Sequence, residues 1–533
     1  MKRGVIMNES KPEKEYISDT EPKYRKKFGQ VFTPVYISKF MTRWVTDKLA
    51  QNSIILDPAL GLGTFFRCLP TPNAFQLEGY ELDSNLAQRT DSLFSSLSID
   101  LNCKNQDFLM AEIDKKYDGI ICNPPYIHFQ DYNNSLSLIE RFNQEYGLDL
   151  KGFSNIYSLF LIKALQLLKS KGRAAFIIPS EFLNADYGVT IKKYLLNHRS
   201  LKHLIIFDPS YTIFEGILTT SAILLFDNKK SDKLNFYNIK EAEQLHTLEN
   251  ELYDSNKNDN SISKQYTLEK LDPEVKWKYY YKNLKINLHL NSKSHLIPFK
   301  ELARIRRGIA TGANDFFTLS QTDLDKFNID SRYIDPCLTR ASQVKGAIFS
   351  QEELDNLMKN DRRIFLLSIN KQKLDQSIIE YIKYGEQKGY NQRYLSRNRN
   401  PSYSLKITRP ADLLVKTFGR KKAVFIQNKT QALNLTCFHS IYLNSKGRKF
   451  SNIIFLYLLT DLAREIFEGQ KRDYSSGLGK FEPNDIKETY LLDFNLFKEK
   501  DIHLLKQLYL DYLSKDNKDT IITEAEDIFK KYW

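Results

Sequence analysis

The apolar positions Ile37, Phe40, Met41, Trp44, Val45 and Leu49 recur at spacings of three and four, which predicts an amphipathic helix with Thr33 as N-cap and Pro34 at its first position. Behind it, short runs at 53–56, 76–81, 117–122, 173–178, 203–207 and 221–226 are apolar on both faces and read as buried strands. Helical spacings at 84–97, 156–169 and 187–197 fall between them. Strand and helix alternating at this pitch predict an α/β domain, a mostly parallel, doubly wound, Rossmann-like sheet covered by helices, over about residues 20–230.

The stretch 254–264, DSNKNDNSISK, has no apolar periodicity and reads as an exposed connection. The expected organisation is an extension over 1–20, a first domain over 21–235, a connection over 236–270, a second domain over 271–490 with shorter and less regular signals, and a helical segment over 491–533. No apolar run reaches the roughly 18 residues that would suggest a membrane span, and the N-terminus lacks the apolar core of a secretory signal, so a cytoplasmic protein without a membrane partner is expected. The cysteines Cys68, Cys103, Cys122, Cys337 and Cys437 are scattered, with no C-x-x-C pair, and suggest neither a disulfide framework nor a metal site.

Charge changes this picture in one half only. Residues 1–270 hold 33 basic and 33 acidic side chains, whereas 271–533 hold 45 and 32, so the whole excess of +13 lies in the second half. Within it, 381–450 carries 15 basic residues against Glu386 and Asp412 alone, interleaved with Tyr384, Tyr390, Tyr394 and Tyr403. Cations that neutralise phosphates, beside rings that stack, suit a nucleic acid; a solvated face of a Lys-rich chain has the same composition.

Four places in the first half can carry chemistry. After the run 53–56 comes DPALGLGTF (57–65), whose glycines permit a strand-to-helix turn and close approach of a ligand to the backbone. Glu81, ending the next run, stands where an acidic side chain accepts hydrogen bonds from ribose hydroxyls, and the two together suggest a nucleoside-containing cofactor. No GxxxxGK[ST] segment points to phosphate-driven chemistry. Asp107 and Phe108 could receive an adenine amino group and face, though by themselves they read as a strand end with a core phenylalanine. The informative element is Asn123-Pro124-Pro125-Tyr126 after YDGIIC, at the carboxyl end of an expected strand. Its prolines hold the backbone rigid and leave carbonyl oxygens beside the Asn123 amide oxygen, so the corner offers acceptors to a planar NH2 group. Hydrogen bonds to the Asn123 oxygen and the Pro124 carbonyl would localise the lone pair of such an amine, and Tyr126 would hold its ring.

In the order GQVFTP (29–34), DPALGLGTF, NPPY (123–126) and then a basic half, the chain resembles the TaqI-like, gamma-type adenine-N6 DNA methyltransferases of bacterial restriction-modification systems. RRGIATGANDFF (306–317) and GLGKFEPNDIK (477–487) are similar to segments of that family's target-recognition domain, implying an α+β DNA-recognition domain. The resemblance implies S-adenosylmethionine as cofactor, with Thr33 and the turn through Asp57, Ala59, Gly61 and Gly63 on its methionine part. It places Glu81 on the ribose, Asp107 and Phe108 on the adenine, and Asn123 at the cofactor and target amine together. Tyr126 and a second aromatic, for which Phe214 is the candidate, would stack on a flipped base. Arg307, Arg393, Arg397, Arg399, Lys421, Lys422 and Lys480 are the expected DNA contacts. The implied partners are double-stranded DNA and a separate cognate endonuclease, with the methyltransferase a monomer. Leu60 and Leu62 depart from the family's Cys and Ser. The alternatives are an RNA or protein-glutamine methyltransferase with the same tetrapeptide, or an inactive DNA-binding specificity protein.

Overall fold

The computed structural model describes residues 10–127, 129–132, 135–150, 155–209, 211, 213–214, 220–253, 263–282, 294–369, 374–419, 423–474 and 478–533. The chain divides into two compact units, 1–283 with 473–477, and 284–472 with 478–533.

The first unit is built on nine strands: β1 (Ile54–Asp57), β2 (Gln76–Tyr80), β3 (Leu101–Lys104), β4 (Tyr117–Cys122), β5 (Leu168–Pro179), β6 (Leu201–Phe207), β7 (Ser221–Asp227), β8 (Lys233–Ile239) and β9 (Ser263–Thr267). Their order across the sheet is β3-β2-β1-β4-β5-β7-β6-β8-β9. The first five run parallel, β7 is antiparallel to both its neighbours, β8 is parallel to β6, and β9 returns antiparallel. Strand order reverses between β1 and β4, the position where open α/β sheets bind ligands beyond the strands' carboxyl ends. Because Leu56 pairs with Ile120, the 57–63 turn and the 123–126 tetrapeptide leave the sheet side by side.

Three helices precede β1: α1 (Lys11–Asp19), α2 (Pro22–Phe28) and α3 (Val35–Thr46). The periodic face of α3 buries Ile37, Phe40, Met41 and Trp44 against the sheet residues Ile121, Ala175, Ile177 and Ile223. Pro34, not Thr33, occupies the N-cap, because the Thr33 hydroxyl accepts a hydrogen bond from Asn123 at 3.0 Å instead of capping the helix. The sequence pattern also misses β3, whose four residues are only half-buried or exposed and carry no apolar run.

Residues 10–20 of the expected extension pack onto the first unit. Tyr16 and Glu13 of α1 are each 1% exposed. Tyr16 packs with Leu62 and Leu86, while the Glu13 carboxylate meets Arg67 and accepts from the Thr64 hydroxyl at 2.5 Å. The stretch 236–270 is likewise more than a connection: it completes β8 and holds the helix Ala242–Tyr253 and β9, because Leu245 and Leu248 bury against the sheet while the polar 254–262 stretch lies outside the described residues.

In the second unit a five-stranded sheet, containing Ala303–Arg307, Phe438–Leu443 and Leu413–Lys416 in antiparallel pairs, is covered by the helix Ser451–Leu459, buried from Ile453 to Leu459. The helices Glu499–Ser514 and Lys518–Lys530 bury Leu505, Tyr512 and Phe529 in the same core, so 491–533 packs as part of this unit. A smaller four-stranded sheet has its own core around Phe316, Leu366 and Tyr381. Among the described residues no helix is long and apolar enough to cross a membrane, and no group of three or more His, Cys, Asp and Glu could hold a metal ion.

Docking of α1 through a buried ion pair makes a testable demand. Glu13→Ala leaves the mostly buried Arg67 without its carboxylate and is expected to lower stability by about 3 kcal/mol in urea unfolding. A loss within error of zero would mean that α1 contributes nothing to the fold.

Candidate active site

Asp57, the last residue of β1, is fully buried. Its Oδ1 accepts from the Ala59 amide at 3.1 Å, and its Oδ2 has no hydrogen-bond partner. Burial pushes this carboxyl up to about 8. The turn that follows uses left-handed φ angles at Gly61 and Gly63, 54° and 67°, and a Cβ at Gly63 would lie 2.4 Å from the Phe94 ring. Leu60 sits over Gly79 of β2, and Leu62 covers Tyr16 of α1, so the two leucines that depart from the family pattern pack the turn against its neighbours.

Glu81 is held by two backbone donors, Gly61 N to Oε2 at 2.9 Å and Asp83 N to Oε1 at 2.8 Å. Burial raises its carboxyl to about 7 against the opposing pull of those amides. Asp107 accepts from the Leu109 amide at 2.9 Å and from the Tyr132 hydroxyl. The turn beyond it is held by the buried Lys163, whose ammonium donates to the carbonyls of Phe108 and Ala111 at 2.7 and 2.5 Å; burial lowers this lysine to about 8. Lys163 was not foreseen, although a single lysine in the apolar helix Ile156–Gln166 was a signal for it.

These parts line a single cleft. Of the expected residues, Thr33, Ala59, Gly61, Glu81, Asp107, Phe108 and Asn123 line it; Asp57, Gly63, Pro124, Tyr126 and Phe214 do not. The segment 28–33 forms another part of its wall, which sequence reasoning credited only with Thr33.

At the end of β4 the Asn123 side chain is locked. Its Nδ2 donates to the Val31 carbonyl at 2.8 Å and to Thr33 Oγ1 at 3.0 Å, and its buried Oδ1 has no partner. A carbonyl can only accept, so Val31 fixes which end of the amide is NH2 and which is oxygen. Tyr126 N donates to the Gly29 carbonyl at 3.3 Å. The Tyr126 and Phe214 rings lie 6.2 Å apart at 90°, an edge contact, and Phe214 is 6% exposed within the core that includes Ile213. That geometry is not a parallel slot for a base, and Phe214 is here a core residue.

In the second unit Arg307, Arg393 and Arg397 are exposed, the latter two lying over the rings of Tyr390 and Tyr394. Two other expected DNA contacts are committed internally. Arg399 donates to the Thr311 and Ala310 carbonyls at 2.7 and 2.6 Å, pinning the GIATG turn, and Lys480 pairs with Glu482 at 2.5 Å. Lys421 and Lys422 lie outside the described residues.

Comparison with known proteins decides the family. The Eco57I restriction-modification methylase family matches residues 68–214, and the C-terminal domain of type II methyltransferase M.Eco57I matches 274–528. Type II methyltransferase M.AccI of Acinetobacter calcoaceticus is 36% identical over 98% of this chain and 97% of its own length. The chain belongs to the type II restriction-modification methyltransferases. Within this family M.XamI of Xanthomonas campestris pv. amaranthicola is 24% identical over 86% of this chain and 84% of its own. The same fold recurs in the type IIL enzyme MmeI, solved with DNA, at a TM-score of 0.54 and 12% identity over 93% of this chain and 72% of that one.

S-adenosylmethionine is the methyl donor of a methyltransferase of this fold, and the cleft fits it. Ala59 and Gly61 would offer backbone to its methionine part, Glu81 has acceptor capacity beyond its two amides, and the Asp57 oxygen without a partner marks a polar group that the protein itself leaves unsatisfied. The buried Asp57 yields a prediction. Its folded-state pKa lies above the ordinary carboxylate value, so its contribution to stability is present at low pH and is lost as pH rises through about 8. Asp57→Asn carries no charge to bury, so in the absence of cofactor its melting temperature should gain on that of the parent between about pH 4 and about pH 8. A constant difference across that range would contradict a carboxyl buried without compensation.

Proposed function

We propose that this methyltransferase acts on the N6 amino group of adenine in double-stranded DNA, with the base turned out of the duplex, and so protects DNA from a separate cognate endonuclease. The observation that carries the reading is the Asn123 amide, whose NH2 is engaged by Val31 and Thr33 while Oδ1 is left as a free acceptor at the edge of the cofactor cleft.

An aromatic amine is a weak nucleophile because its lone pair is delocalised into the ring. Asn123 Oδ1 and the Pro124 carbonyl would each take one of its two protons in a hydrogen bond, which draws the nitrogen toward a tetrahedral arrangement and localises the pair. As the nitrogen gains positive charge during transfer, the same oxygens stabilise it in a site that needs no reorganisation. Tyr126, anchored by its amide to Gly29, would hold the ring face. S-adenosylmethionine supplies, when bound, a methyl carbon made electrophilic by its sulfonium. The residues around it act by alignment: Glu81, the Gly61 turn and Asn123 all line the same cleft.

The DNA substrate is supported in the second unit by exposed cations. Lys383, Lys388, Arg393 and Arg397 make no ion pair among the described residues, and Tyr394 beside them is 70% exposed. Such a surface suits phosphates with a ring free to stack.

Asn123→Ala should lower transfer of labelled methyl groups to unmodified genomic DNA by about a hundredfold or more while DNA affinity stays within about twofold. Sequencing the modified positions identifies the base, and methylated cytosine in place of adenine would overturn the N6 assignment. Arg393→Ala and Arg397→Ala should each weaken DNA binding and reduce the slope of log affinity against log salt by about 1; an unchanged slope would remove them from the DNA surface.

A further inference from the structure

The segment 29–33, GQVFT, is hydrogen-bonded on two sides. On one side lies Asp83, 1% exposed. Its Oδ2 accepts from Gln30 Nε2 at 2.8 Å and from the Tyr16 hydroxyl at 3.2 Å, and its Oδ1 accepts from the Tyr24 hydroxyl at 2.8 Å. The amide of the same residue donates to Glu81 Oε1 at 2.8 Å. On the other side the Gly29 carbonyl accepts from Tyr126 N, and the Val31 carbonyl and Thr33 hydroxyl accept from Asn123. Gly29 permits this approach, since a Cβ there would lie 2.9 Å from Tyr126 N and its φ is 63°. Glu81, the segment 29–33 and Asn123 all line one cleft, so a short stretch of chain links the wall expected to hold the ribose to the corner expected to hold the target amine.

We propose that Gln30 is a positioning residue that transmits occupancy of the cofactor cleft to the catalytic corner, by holding 29–33 in register between Asp83 and Asn123. The inference rests on the cofactor and Asn123 readings above. Its physical basis is the symmetry of a carboxamide. Asn123 presents oxygen to a substrate amine only while the Val31 carbonyl sits against its NH2; if 29–33 shifts, the amide can rotate and present NH2 to an amine that is itself a donor. Gln30 is the only side chain of 29–33 seen bonding to Asp83 among the described residues, through a hydrogen bond to a charged acceptor, the stronger kind. Tyr24 holds Asp83 but does not belong to the segment, so it secures the ribose wall without setting Asn123.

The two side chains therefore separate in kinetics. Gln30→Met removes the hydrogen bonds at nearly the same length. It is expected to weaken binding of S-adenosylhomocysteine, read by titration calorimetry, by about tenfold and to lower kcat at saturating S-adenosylmethionine by about tenfold as well. Tyr24→Phe is expected to weaken binding while leaving kcat at saturation within about twofold. In the parent protein S-adenosylhomocysteine should slow amide exchange at Tyr126 and Ile127, and in Gln30→Met that slowing should vanish even at saturation. Should Gln30→Met fail to fold, Gln30→Asn, one methylene shorter, carries the same expectations. Normal kcat and normal exchange slowing in the Gln30 variant overturn the coupling alone. Failure of the parent protein to bind S-adenosylhomocysteine overturns the cofactor reading on which it rests.

Discussion

A buried acceptor without a hydrogen-bond partner costs about 1–3 kcal/mol, and two such atoms, Asp57 Oδ2 and Asn123 Oδ1, sit at the carboxyl ends of neighbouring strands. The rest of the first unit can be understood as what keeps them there. Parallel pairing of β1 with β4 brings the two strand ends together. The prolines after Asn123 prevent the chain from relaxing onto its own oxygen, and Val31 and Thr33 engage the amide's donors so that rotation gains nothing. A site with unsatisfied acceptors is unstable on its own terms and becomes favourable when a ligand brings donors and positive charge to it.

The N-terminal helices belong to that arrangement. They do not extend the sheet; α1 braces the glycine turn and the helix behind it by packing Tyr16 on Leu62 and pairing Glu13 with Arg67. The departure from the family's glycine turn is thereby accounted for in packing terms. Leu62 supplies apolar surface on which α1 rests, and Leu60 fills the space over Gly79, so larger side chains are accommodated without change to the left-handed glycines on which the turn depends.

The second unit follows a different economy of charge. Its cations divide into those that build the fold and those that stay free. Arg399 and Lys480 satisfy backbone or a carboxylate inside the unit, whereas Arg393 and Arg397 lie over aromatic rings at the surface with their guanidinium groups accessible. A ring under a guanidinium limits its rotamers while leaving its donors available, which lowers the entropy lost when a phosphate binds.

The sequence by itself determined the elements whose signal is local. The apolar runs of β1, β2, β4, β5, β6 and β7 and the helical face of α3 follow from side-chain periodicity, and the glycine turn and the NPPY corner follow from backbone restrictions that Gly and Pro impose wherever they stand. Only the tertiary structure decided what depends on a partner distant in the chain. Thr33 reads as a helix cap until Asn123, ninety positions on, takes its hydroxyl. Residues 10–20 and 236–253 read as an extension and a connection until Leu62, Arg67 and the sheet supply surfaces for them. Phe214 and Arg399 have the composition of contact residues but lie where packing and backbone carbonyls claim them. Periodicity reports which face of an element will be buried; it carries no information about which distant polar group will meet an orphan donor or acceptor, and that pairing is what sets a site's chemistry.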